Sequence, residues 1–171
     1  MYMIKDEWGE FLVRLARSAV EEYVRNGRVI EPPGEAPPEL WEKMGVFVTL
    51  NRYNVPPQMA LRGCIGFPLP IYPLVEATIK AAIHAAVEDP RFPPVRPEEL
   101  DELTVEVSVL TPPEPGEGPP EERPRKIKVG RDGLIIEKGI YSGLLLPQVP
   151  VEWGWDEEEY PRGPVKRKPL V

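Results

Sequence analysis

Apolar residues recur at three- and four-residue spacing over residues 6–26, where Trp8, Phe11, Leu12, Leu15, Ala19 and Tyr23 share one side of a helix. Asn26-Gly27 supplies the stop, because glycine adopts the left-handed cap at no steric cost. Residues 31–38 (EPPGEAPP) hold too much proline for regular structure and are expected to form a loop, closing in a short turn at 39–43. Residues 46–50 then read as a buried strand, 51–59 as turn and loop, and 61–67 as a short glycine-bearing strand. Pro73 suits the first turn of a second helix running to Glu88, with Val75, Ile79, Ala82, Ile83 and Ala86 on one face and Pro90 beyond its end.

Leu103, Val105, Val107 and Val109 alternate with Thr104, Glu106 and Ser108, the pattern of a strand with one buried face. An acidic, proline-rich loop follows over 111–124. Turn signals at Arg131-Asp132-Gly133 and Lys138-Gly139 then separate three expected strands at 126–129, 134–137 and 144–146. Short hairpins favour antiparallel pairing, and the chain has no repeated βαβ pattern and no glycine-rich phosphate loop. The expected class is α+β, an antiparallel sheet flanked by helices.

A length of 171 residues suits one core, here placed in residues 1–160, with 161–171 as a proline-rich basic tail. No apolar run reaches the roughly 18 residues of a membrane span. Asp6, Glu7 and Glu10 interrupt the first ten positions, unlike a secretory signal, so a soluble, cytoplasmic protein is expected. The lone Cys64 excludes an intrachain disulfide, and with one histidine there is no cysteine-histidine zinc spacing. A net charge of −7 argues against nucleic acid, for which the only basic cluster is Arg162, Lys166, Arg167 and Lys168. The 24 prolines, gathered in connecting stretches, read as adaptation to heat.

Candidate chemistry centres on Cys64. In an extended segment Leu61, Gly63 and Ile65 point one way while Arg62, Cys64 and Gly66 point the other. A guanidinium about 7 Å from a thiol along a strand would lower the thiol pKa. The glycines would let another backbone or a ligand approach. Equally, Cys64 can be a small buried filler and the glycines a means to bend. A Cys-His pair is disfavoured, because His84 falls opposite the apolar helical face, between Lys80 and Glu88. Asp89 stands at a helix C-terminus, where the macrodipole disfavours a carboxylate, so Arg91 or Arg62 should compensate it. That pair would either orient an anionic substrate beside Cys64 or simply hold the loop. Gln148 and Glu106 are weaker candidates.

The segments LRGCIG (61–66), EDPRFPPV (88–95), EVSVL (106–110) and GLLLPQV (143–149) together resemble the AMMECR domain family, in order over residues 11–160. The resemblance implies two unequal parts, the larger built from both chain ends, with LRGCIG near a cleft between them. It singles out Leu61, Arg62, Gly63, Cys64, Ile65 and Gly66, then Asp89, Arg91 and Phe92. It names no cofactor and no established activity: a small-molecule site, an enzyme or a non-catalytic adaptor are all compatible. The partners it suggests are a Memo-type dioxygenase-like protein and a radical SAM protein. After Tyr160 the chain departs from the family pattern, which continues through a helix with a second cysteine. Here a capping box at Asp156 and Glu159, with a Trp155–Tyr160 staple, announces a helix that Pro161 stops. A frameshift or truncation is the expectation drawn from that conflict.

Overall fold

A computed structural model of the chain describes residues 5–119, 121–138 and 140–162. It divides into two compact units, Met1–Pro112 and Pro113–Val171. The larger unit is thus one continuous stretch, not a body drawn from both chain ends, because all three strands of its sheet lie between residues 45 and 110.

Helix α1 (Asp6–Asn26) forms as its periodicity predicts, burying Leu12, Leu15, Ala16, Ala19 and Val20 and ending on Gly27 at φ 67°. Strands β1 (Gly45–Arg52), β2 (Leu61–Phe67) and β3 (Leu103–Leu110) make an antiparallel sheet in the order β2-β1-β3. Val46, Val48 and Leu50 of β1 are buried, opposite Phe67, Ile65 and Gly63 on β2 and Val109, Val107 and Val105 on β3. This row of apolar positions meets helix α2 (Leu74–Val87), and α1 packs in turn on α2.

Because α2 packs on β1 and β2 and also against α1, which itself meets β3, it buries more than the single face its spacing suggests. Leu74, Ala77, Thr78, Ala81 and Ala85 are closed off along with the expected Val75, Ile79, Ala82, Ile83 and Ala86. Its many alanines permit close approach on both sides, which a one-sided wheel cannot reveal. Two 3-10 turns, Pro38–Trp41 and Pro97–Glu102, lead into β1 and β3.

The smaller unit holds a hairpin, β4 (Leu134–Lys138) with β5 (Tyr141–Leu145), and a short helix α3 (Gln148–Trp153). The strand expected at 126–129 does not form. A 3-10 turn occupies Arg123–Lys126, and the chain then curls so that the Arg131 and Asp132 amides bond to the Lys128 carbonyl. Gly139 of the expected hairpin turn lies outside the described residues, as do Lys166, Arg167 and Lys168 of the basic tail. The predicted capping box is present: Asp156 accepts from the Glu158 and Glu159 amides, and Glu159 turns back on the Asp156 amide. Only one turn follows before the 3-10 segment Tyr160–Arg162. Tyr160 is fully buried, its hydroxyl set among the carbonyls of Asp132, Leu145 and Leu146. Burial, with the Asp132 charge nearby, pushes the phenol up to about 12.

Candidate functional site

The alternation expected along β2 holds from Gly63 to Phe67 but breaks at Arg62, where the register shifts so that Gly63 opposes Leu50 while Leu61 opposes Asn51, and its two chemical residues have different surroundings. Arg62 is 2% exposed and points its Nε and Nη2 at the two carboxylate oxygens of Glu99, at 3.0 and 3.1 Å. This corrects the expectation that the guanidinium projects with the thiol into an open hollow. A buried cation without a counter-ion is costly, and the Pro97–Glu102 turn brings one to it. Phe92 closes another side, with Arg62 Cζ 5.9 Å from its ring centre.

Glu99 is the residue that sequence reasoning missed. Besides the Arg62 fork it accepts from Arg52 at 3.0 Å and from the Arg96 amide at 2.9 Å. The Arg62 bonds outweigh burial and, with Arg96 and Arg52, hold its carboxyl down at about 2. Pro97 in a first helical turn with Glu99 two residues later is a visible start signal. Nothing local marks that carboxylate as the counter-ion of an arginine 37 positions away.

Gly63 and Gly66 serve close packing. A side chain at Gly63 would collide with the Ala85 carbonyl of α2, and one at Gly66 with the Val46 carbonyl and the Phe47 ring. The approaching group at Gly63 is therefore another backbone. Leu61 and Ile65 are partly buried; Ile65 pairs with Val48 of the buried face, whereas Leu61, beyond the register shift, pairs with Asn51.

Cys64 keeps a half-open position. Its thiol accepts from Thr49 Oγ1 at 3.2 Å, and the register sets Cys64, Thr49 and Glu106 in one row across the face turned away from the helices. Its backbone lies on the outer edge of the sheet, where Asp89 and Arg91 act as a substitute neighbouring strand. Asp89 Oδ2 accepts from the Cys64 amide at 2.9 Å, and Arg91 Nη2 reaches the Cys64 carbonyl at 3.4 Å. Asp89 also binds Arg91 through both oxygens, at 2.9 and 2.7 Å. Burial pushes the Asp89 carboxyl up, but Arg91 and the two backbone amides prevail and bring it to about 2. Of the two partners expected for Asp89, the structure selects Arg91.

Arg91 itself is half-exposed, at 51% of its side chain. Its pKa is raised by Asp89 against the opposing effect of burial. The cation that meets Cys64, at its backbone carbonyl, is thus Arg91, while Arg62 is committed to Glu99. His84 lies 3.8 Å from Glu88, but its ring is tilted against Phe67 at 5.9 Å and is half-buried, so the helix position read as solvated is partly covered by β2. Gln148 opens α3 in the smaller unit. A shallow depression of about 370 Å³ in that unit is lined by Pro124, Arg125, Ile127, Glu157 and Glu158, and includes no residue of LRGCIG.

A protein of Thermococcus gammatolerans is 78% identical over 205 aligned positions, and Protein TK0174 of Thermococcus kodakarensis is 75% identical, each alignment covering 100% of both chains. These relatives agree with an origin in a thermophilic archaeon. The crystal structure of Uncharacterized Protein PH0010 from Pyrococcus horikoshii matches with a TM-score of 0.88 and 84% identity, covering 93% of this chain and 78% of that one. With 205 aligned positions against 171 residues, each of the two Thermococcus relatives holds 34 positions that have no counterpart here. The alignments take in residues 161–171, which an out-of-frame run would not permit. The frameshift or truncation expected beyond Tyr160 gives way to an internal shortening. A model of the AMMECR1 family matches residues 13–166 and, taken with these likenesses, shows that the chain belongs to the AMMECR1 family.

Proposed function

We propose that the half-open Cys64 thiol and the Arg91 guanidinium form the recognition edge for a small anionic molecule. The observation that carries this reading is the buried Asp89, which fixes a half-exposed cation against the Cys64 backbone. A guanidinium so anchored loses little side-chain entropy when an anion arrives, and its planar fork suits carboxylate or phosphate. Arg62, sealed against Glu99, is a positioning residue that fixes β2 against the 89–99 segment.

The test is charge-selective alkylation. Iodoacetate should gain on neutral iodoacetamide at Cys64, relative to the same pair on glutathione, and Arg91→Gln should abolish that gain while circular dichroism stays native. A reagent ratio equal to that of glutathione in the wild-type protein overturns the proposal.

A second reading, a non-catalytic adaptor, is favoured by the architectural use of the motif: Arg62, Gly63, Gly66 and the Cys64 amide are all committed inside the unit. The Memo-type and radical SAM proteins are its candidate partners. Binding to either that survives Cys64→Ser and Arg91→Gln supports it, and loss of binding in both variants counts against it.

A further inference from the structure

The two edges of the larger sheet are treated differently. At β2 the outward amide and carbonyl of Cys64 are taken by Asp89 and Arg91. Since those groups face outward, Cys64 and Thr49 form a non-bonded pair, and the Thr49 backbone must turn toward β3 to bond with Glu106. Glu106 therefore faces β1, while Val105, Val107 and Val109 direct their amides and carbonyls outward. Arg17 fits this alternation, donating to the outward carbonyl of Leu103 at 2.9 Å. Among the described residues no strand lies beyond β3, and no backbone partner meets those three valines.

An uncovered edge without proline, bulge or inward charge is a template for another strand. We infer that β3 pairs with β3 of a second copy of this chain, antiparallel about a two-fold axis through Val107. The register follows from the chain itself. Arg17 closes the edge at Leu103, and an axis centred on Glu106, which would make it a non-bonded pair, is excluded because it would set two carboxylates face to face. Centring on Val107 places Val105 opposite Val109 of the second copy and Glu106 opposite Ser108. The strand's sole charged side chain then faces a hydroxyl and no like charge. Ser108 Oγ already lies 3.5 Å from Glu106 Oε1 within one chain, so the pair can exchange that bond across the axis. Val105, Val107 and Val109 are only partly buried, and pairing would extend the apolar face they share with α1 and α2.

Sedimentation velocity over a range of concentrations tests this. The wild-type chain should sediment at twice the monomer mass at micromolar concentration. Ser108→Glu, which sets two carboxylates opposite Glu106 residues, should weaken the dimer by about tenfold. Adding Glu106→Lys to Ser108→Glu replaces repulsion with attraction and should restore it. The double variant also guards against simple misfolding of the single one. A wild-type chain that stays monomeric to about 100 µM, a dimer indifferent to Ser108→Glu, or a double variant that folds without recovering association each overturns the inference.

Discussion

Gly63 constrains the LRGCIG segment more tightly than its cysteine does, because the Ala85 carbonyl occupies the place a methyl group would take. Gly63→Ala should force β2 away from α2 and cost about 3 kcal/mol, read as a fall of roughly 10 °C in melting temperature. Asp89 and Glu99 govern the response to acid. Both carboxyls sit near 2 in the folded chain against 3.8 and 4.5 as unperturbed values. The unfolded chain therefore takes up protons first as the pH falls, and acid draws the equilibrium toward it. Their contribution is complete above about pH 5 and lost progressively toward pH 2. Asp89→Asn should lose about 2 kcal/mol at pH 7 in urea unfolding, with the gap to wild type narrowing by pH 3. The alternation of Gly63, Cys64 and Ile65 was legible in the sequence, because it is a property of the extended backbone, but the register shift that sets Arg62 apart from that row was not. The partner of Arg62 was not legible, since Glu99 reaches it across 37 positions, whereas Asp89 was expected beside Cys64.

Among the elements, α2 shows what spacing alone leaves out. Its start after Pro73 and its end before Pro90 follow from proline geometry, but its burial on two sides follows from what packs against it. Thr78 is the consequence: its hydroxyl is buried and has no hydrogen-bond partner. Thr78→Val keeps the branched shape and removes that orphan, so it should stabilise the chain by about 1 kcal/mol, seen as a higher melting temperature. The missing strand at 126–129 teaches the converse. Its apolar alternation is too short to outweigh a turn that Asp132 fastens by accepting from the Lys128 amide at 2.9 Å.

At the scale of the molecule, the larger unit carries its own core of α1, α2 and three strands. A fragment ending at Pro112 should therefore fold alone and melt in one cooperative transition; a broad, non-cooperative loss of ellipticity would contradict that independence.

What the sequence determined by itself were the terms set by nearest neighbours along the chain: helix limits from caps and proline, strand faces from alternation, and the α+β class from their succession. Only the tertiary structure decided which cation meets the Cys64 backbone, which carboxylate seals Arg62, and which sheet edge is left open. Those outcomes depend on long-range contacts, where the cost of burying a charge or a backbone group is met by a residue distant in the chain, and no local pattern records that pairing.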